Sequence, residues 1–282
     1  MSRIYNVVLL PDWTDTEHAY QQCFAMFESF QCKTFANIHF QSKIDESTDF
    51  VVAVNRETSE LLRVPPEKRI FITMEPYLST SENKQYAYYG DFAKDWKMPC
   101  LPFIAKPFDF LRDLRYEDLS KTRNLIIICS GKSFFPGHKK RLQLLRDICR
   151  IDGLEVDVYG RNLDPALCNG NYRGEIEGCC KFDVLSQYRY AVVIENCCRK
   201  NYVSEKLFDC FLCLTFPIYM GAPNVEQFFD DDSYLTLDTA CLATQVSEKP
   251  NLQQQNALVC AKERTLREHN IFARIRDIVC KN

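Results

Sequence analysis

Two Rossmann-like α/β halves facing a central cleft are what this sequence predicts, and three observations predict them. Short apolar runs alternate with amphipathic stretches in residues 4–74 and again in 125–237. Between them, 77–122 breaks the pattern with aromatics, charges and Pro99, Pro102 and Pro107. The 282 residues suffice for two domains of about 130 residues each. Strands that alternate with helices build a wrapped parallel sheet.

In the first half, Ile4–Leu10, Thr34–Phe40, Phe50–Asn55 and Arg69–Met74 read as strands, with helices over Glu17–Phe30 and Ser59–Arg63. From Asn124 the alternation resumes with a strand over Leu125–Cys129, a helix over Lys139–Arg150 and a strand over Leu154–Tyr159. After the loop at Asn169-Gly170-Asn171 come a short helix, Phe182–Tyr188, and a strand, Ala191–Glu195. Ser204–Cys213 is a helix, Phe216–Tyr219 a strand, Val225–Phe229 a helical turn and Tyr234–Leu237 a strand. The charged, amphipathic stretch Asn251–Val279 reads as helix. The boundaries drawn are 1–115, 116–250 and a helical segment, 251–282, packing across the domains.

Composition removes several classes of function. With 46% hydrophobic residues and a net charge of −3, the chain is neither disordered nor built around a nucleic-acid or membrane surface. The apolar start is cut short by Pro11-Asp12, and no stretch reaches the roughly 18 apolar residues of a membrane span. A cytoplasmic location is therefore expected, and the 15 cysteines read as free thiols that pack as small hydrophobes. Cys210 and Cys213 form a CxxC, but zinc needs a second spaced pair of ligands, and His18, His39, His138 and His269 are scattered singly. No metal site is expected.

In α/β sheets ligands bind outside the carboxyl ends of strands, so the loops there are the places to search. The run from Ile194 through Glu195, Asn196, Cys197, Cys198 and Ser204 to Lys206 joins a buried strand to a helix whose N-cap is Ser204. A lysine in a first turn opposes the helix dipole unless an anion is bound there, and exposed helix N–H groups plus a lysine suit a phosphate. The residues alone leave a solvated charge equally open. After Leu125–Cys129, Ser130-Gly131-Lys132-Ser133 leads to a helix carrying Arg141. This is not a phosphate-binding loop of the Walker type, whose upstream glycine is missing. Tyr159-Gly160 closes a strand where a nucleotide base could lie, and Glu75, before Pro76, puts a carboxylate at a strand end suited to a general base.

Together these residues resemble a known family. Asn201-Tyr-Val-Ser-Glu-Lys-Leu-Phe-Asp-Cys-Phe, followed by Phe216-Pro-Ile-Tyr-Met-Gly-Ala-Pro-Asn-Val-Glu-Gln-Phe, resembles the signature of the α1,3/4-fucosyltransferases, glycosyltransferase family 10. Arg141 and the apolar residues behind it fit that family's arginine helix, and Val156–Gly160 fits its V-D-V-Y-G strand. Met74-Glu75-Pro76 is similar to its acidic N-terminal motif. The resemblance covers roughly residues 125–240. It implies a GT-B fold with an N-terminal acceptor domain and a C-terminal donor domain. It also implies a nucleotide-sugar donor, GDP-fucose in the family, inversion at the anomeric carbon, and no cofactor or metal.

Carried over by position, Arg141 and Lys206 would neutralise the diphosphate, and Asn196, Tyr202 and Glu205 would contact phosphate, sugar or ribose. Ser130, Tyr159 and Gly160 complete the implied donor set, and Glu75 is the implied base. The acceptor would be a glycan or glycoprotein. Asp230-Asp231-Asp232 matches the family's variable acidic turn rather than a metal-binding carboxylate pair. Cys197-Cys198-Arg199-Lys200 departs from the usual small polar residues, and Ser204 stands where Thr is common. These departures surround the donor sugar, which leaves UDP-xylose as an alternative donor and a non-catalytic carbohydrate-binding protein as an alternative function.

Overall fold

Val7, Val8, Leu9 and Leu10 are all buried, the mark of a parallel strand covered on both faces. They belong to β1 (Tyr5–Leu10), the inner strand of a six-stranded sheet of order β2-β3-β1-β4-β5-β6. The structure, a computed structural model, describes residues 3–27, 34–35, 37–75, 86–90, 104, 106–177 and 180–281. The described residues divide into two compact units. One holds those up to Gly90, 106–111 and 266–281; the other holds Ile104 and 112–265.

In the first unit α1 (Thr16–Phe27) follows β1, and β2 (Thr34–Phe35) and β3 (Ile38–Gln41) come next. The sequence suggests one strand there. The chain instead reverses through Asn37, so that β2 and β3 pair antiparallel while β3 pairs parallel to β1. β4 (Phe50–Val54), α2 (Ser59–Arg63), β5 (Arg69–Ile72) and β6 (Tyr88–Gly90) complete the sheet. β6 lies in a stretch the sequence marks as irregular. It pairs with β5 from Ile70 to Ile72, and Phe71 stacks on Tyr89 at 5.7 Å between ring centroids.

The second unit begins with α3 (Phe108–Asp113), shared with the first, and β7 (Arg123–Ile128). It continues through α4 (Pro136–Ile148), β8 (Asp157–Tyr159), α5 (Lys181–Leu185), β9 (Tyr188–Ile194), α6 (Glu205–Leu212), β10 (Phe216–Met220), β11 (Leu235–Thr236) and α7 (Leu242–Gln245). The five strands are all parallel in the order β11-β10-β9-β7-β8. From β7 the chain goes one way to β8 and then returns to β9 on the other side. The carboxyl ends of β7 and β9 therefore flank the crevice where such sheets take ligands. Gly160, just past β8, is where two strands close tightly: a Cβ there would stand 1.8 Å from the carbonyl oxygen of Cys129.

The segment 251–282 forms two helices, α8 (Leu252–Arg267) and α9 (Ile271–Val279). Asn270 makes the break. Its side chain donates to the carbonyl of Leu266 at 2.6 Å and accepts from the N–H of Ala273 at 2.8 Å, ending one helix and capping the next. Along the described chain the two units divide at 111/112 and 265/266. No described helix is long and apolar enough to cross a membrane.

Before β7, Lys121 reaches inward. Its ammonium donates to the carbonyl of Cys213 and the hydroxyl of Thr215, both at 2.9 Å, and burial lowers its pKa to about 7. The unfolded chain, with a lysine near 10.4, binds this proton between pH 7 and 10 while the folded chain has lost it. Stability at this site therefore rises with pH across that window. Lys121→Met should remove the contribution, so the stability of wild type relative to the variant should increase from pH 7 to 10 in urea unfolding.

Candidate active site

Arg141 projects from the second turn of α4 and is buried. Its guanidinium donates to Asn196 Oδ1 at 2.6 Å and to both the carbonyl and hydroxyl oxygens of Ser130 at 3.1 Å. Three predicted residues that are 11 and 55 positions apart thus meet across the ends of β7 and β9. Gly131 allows the turn, because a Cβ there would collide with the backbone of Asn162.

At the start of α6, Ser204 is the N-cap, its hydroxyl accepting from the Lys206 N–H at 3.4 Å. The partner that sets this geometry is Glu195, buried at the end of β9. One of its carboxylate oxygens accepts from the Ser204 N–H at 2.7 Å and the other from the Ser204 hydroxyl at 2.5 Å. The Lys206 ammonium donates to the Ser204 hydroxyl at 3.0 Å and to Glu205 at 3.1 Å, and lies 3.6 Å from Glu195. Burial alone would lower the Lys206 pKa, but Glu205 and Glu195 overcome it and hold the ammonium charged. Burial likewise opposes ionisation of Glu205, yet Lys206 and Lys181 bring its pKa down to about 2.

The loop between Asn196 and Ser204 is tied down by Asn224. Asn224 accepts from the Asn201 N–H at 2.8 Å and donates to its side chain at 2.9 Å, and Asn201 takes a left-handed φ of 65° that an asparagine tolerates. Gly221 fits because a Cβ there would sit 2.5 Å from the Glu195 side chain and 2.2 Å from the Tyr219 hydroxyl. Tyr202 is buried in this loop. Cys198 is exposed, whereas the half-buried Cys197 thiol is pushed up to about 11 by burial, which keeps it neutral at pH 7.

Tyr159 and Gly160 lie beside this cluster without joining it: the Tyr159 carbonyl accepts from the Cys129 N–H at 2.8 Å, and Gly160 packs on the Cys129 backbone. Glu75 is in the first unit, exposed just beyond β5. It is positioned by Asn55, which the sequence does not single out. The Asn55 side-chain oxygen accepts from the N–H groups of Met74 at 2.5 Å and Glu75 at 3.2 Å, and its amide donates to Asp12 at 3.1 Å. Asn55 has a φ of 59°, and asparagine is among the few residues that accept it.

Sequence reasoning also misses Lys181, which opens α5, and Asp209, on α6, joined as an ion pair. The Asp-Cys dipeptide at 209–210 gave no signal, since only burial makes a helical Asp consequential. Among the described residues no three His, Cys, Asp or Glu side chains gather as a metal would require.

Residues 120–256 match the family described as glycosyltransferase family 10 (fucosyltransferase), C-terminal part. This part of the chain belongs to glycosyltransferase family 10. The chain is 29% identical over 112 residues to a putative fucosyltransferase-like protein of Arabidopsis thaliana, covering 39% of this chain and 19% of that protein. It is 37% identical over 57 residues to an alpha-(1,3)-fucosyltransferase of Helicobacter pylori, covering 20% of this chain and 12% of that one. The chain thus matches less than a fifth of the length of either relative. A crystal structure of an alpha1,3-fucosyltransferase with GDP superposes with a TM-score of 0.54 over 96% of this chain and 94% of that one, at 15% identity. That likeness shows the fold, GT-B with two parallel-sheet α/β units.

The packing of Gly221 against Glu195 makes a direct test of how the family 10 cluster is held. Gly221→Ala should push Glu195 off Ser204 and cost about 1–3 kcal/mol of stability, the range for overpacking, read as a lowered midpoint in denaturant unfolding.

Proposed function

We propose that this chain is an inverting glycosyltransferase that moves L-fucose from GDP-fucose to a hydroxyl of a glycan or glycoprotein acceptor. The observation that carries the reading is the pairing, at two adjacent strand ends of a family 10 domain, of a buried arginine with a charged lysine at a helix start. The arrangement suits a leaving diphosphate. As the bond from the anomeric carbon to phosphate breaks, negative charge grows on the departing GDP, and fixed cations stabilise it most in the transition state.

Arg141 and Lys206 are assigned to the diphosphate oxygens, Asn196 and Glu205 to sugar and ribose hydroxyls, and Ser130 to the guanidinium it orients. Tyr202, being buried, is assigned to the wall of the site. Glu75 is assigned to the acceptor. It takes the hydroxyl proton as the acceptor oxygen attacks the anomeric carbon from the face opposite the phosphate, so one bond forms, one breaks and the configuration inverts. No cofactor enters the reaction. The relatives support the donor: one solved alpha1,3-fucosyltransferase carries GDP-fucose, and a Danio rerio relative is a GDP-fucose protein O-fucosyltransferase.

Cys197 to Lys200 favours keeping the second donor reading, UDP-xylose, in the test, because the unusual loop follows Asn196 directly. A thermal-shift panel of GDP, UDP and their sugars decides between them, as the cognate ligand alone should stabilise strongly. Lys206→Ala should abolish transfer and weaken GDP by more than about 1.5 kcal/mol, the scale of a charge-assisted hydrogen bond; near-normal turnover would refute its assignment. Glu75→Gln should lower kcat by about 10²–10⁴-fold, as loss of a general base does, with the affinity for GDP unchanged. Full kcat in that variant would place the base elsewhere.

A further inference from the structure

At the amino ends of β7, β8 and β9, away from the Arg141 and Lys206 cluster, the second unit carries a cavity of about 630 Å³. β7 separates the two places by its own length, about 20 Å for six residues. The donor reading uses nothing at this end of the sheet. Three arginines line the cavity: Arg123 opens β7, Arg189 is the second residue of β9, and Arg173 follows β8. Two carboxylates, Glu155 and Asp157, stand against them, so the lining is net positive in a chain whose net charge is −3.

Asp157 fixes two of the guanidiniums. One of its oxygens accepts from Arg123 at 2.7 Å and from the Tyr188 hydroxyl at 2.7 Å, and the other accepts from Arg173 Nε at 2.5 Å. Burial opposes ionisation of Asp157, yet Arg173, Tyr188 and Arg123 hold its carboxyl below the ordinary range. A guanidinium has five N–H donors, and both arginine side chains stay nearly half exposed, so each keeps donors for a ligand while its position is set. Donors placed beforehand cost less to order on binding. Arg189 is half-buried and makes no hydrogen bond or ion pair among the described residues. Asn124 adds an acceptor to the lining: its amide donates to the Val246 carbonyl at 3.0 Å, and its Oδ1 is buried with no hydrogen-bond partner among the described residues.

What this set leaves unmet defines the ligand. The arginines call for an oxyanion, which a guanidinium takes in bidentate fashion. Size excludes a bare one, because at about 30 Å³ per water the space equals roughly twenty waters. The exposed carboxylate of Glu155 and Asn124 Oδ1 call for hydroxyl donors, which an inorganic anion at neutral pH lacks. An aromatic base wants an open apolar face, but Leu125 and Val156 are buried in the sheet, which leaves Leu154 alone. Sugar hydroxyls both donate and accept, and a sugar that carries sulfate or carboxylate supplies the oxyanion as well. We propose that this cavity is a second ligand site, for an acidic glycan whose sulfate or carboxylate is held by Arg189 with Arg123 and Arg173 and whose hydroxyls meet Glu155 and Asn124. The site anchors a glycan away from the strand ends assigned to the donor and takes no part in the bond exchange.

The test is calorimetry of the full chain with lactose 3′-sulfate, a glucuronic acid disaccharide, lactose, inorganic sulfate and GDP. At least one acidic disaccharide should bind wild type about tenfold or more tightly than either lactose or inorganic sulfate, and the tighter of the two names the oxyanion. Added salt should weaken that binding, as screening of the arginines requires. Arg189→Ala should lose about tenfold for the acidic disaccharide, and Arg189→Lys, a point charge without the fork, should recover only part of the loss. Both variants should keep the wild-type circular dichroism spectrum. Saturating GDP should leave the disaccharide affinity of wild type unchanged; competition would put the disaccharide in the donor cluster and overturn the second site. So would acidic disaccharides that bind no better than lactose or inorganic sulfate, or a folded Arg189→Ala protein with full affinity. The wild-type comparisons decide the matter even where a variant fails to fold. Failure of GDP to bind would remove the donor reading, and the comparison of acidic with neutral disaccharide would still judge this site.

Discussion

The buried carboxylate of Glu195 is the constraint around which the second unit is arranged. A carboxylate at 2% exposure survives only if it is bonded and paired, and its partners are the N-cap of the next helix and that helix's second residue. The end of β9 is thereby locked to the start of α6. The same contact explains the glycine at 221, the tight loop anchored on Asn224 and the position of Lys206. Loss of the Glu195 contacts would free the N-cap and let the lysine swing into solvent. A site for charged ligands becomes precise when its own charges are held before the ligand arrives.

From that point the charges alternate. Arg141, Lys206 and Lys181 are interleaved with Glu195, Glu205 and Asp209, so each cation is held near a carboxylate or a bonded polar group. Partner chemistry decides how each buried lysine behaves. Lys206 and Lys181 face carboxylates, and their pKa values are raised against the cost of burial. Lys121 faces a carbonyl and a hydroxyl, and Lys262, on α8, donates to the carbonyls of Arg112 and Leu114; burial lowers both. Neutral acceptors satisfy an ammonium's hydrogens but do not offset its charge. The two lysines beside carboxylates are therefore the ones held charged against burial, and the other two serve the packing.

Much of this was legible from the residues. Parallel strands buried on both faces leave continuous apolar runs, so β1, β4, β7, β9 and β10 were visible without any structure. Ser130, Arg141, Asn196 and Lys206 were legible because each sits in a loop or first turns after a strand, where α/β sheets bind ligands. What escaped notice depends on tertiary contact. β6 has three residues and gains its identity from pairing with β5. The reversal between β2 and β3 carries no glycine or proline. Asn55, Lys181 and Asp209 look like ordinary surface residues in sequence, and only the bonds that the fold gives them show their roles.

The cysteines follow the same logic of burial. Cys210 and Cys213, spaced as a redox or metal motif, point from α6 and its end into the core beside Lys121. Burial raises both thiols and lowers the amine, so the group settles toward neutral thiols and a neutral lysine rather than thiolates beside an ammonium. A motif that elsewhere carries electrons or zinc is here part of the packing behind the charged cluster. The apolar volume it fills keeps α6 pressed onto β9 and β10, and that pressure keeps the Glu195, Ser204 and Lys206 contacts in register.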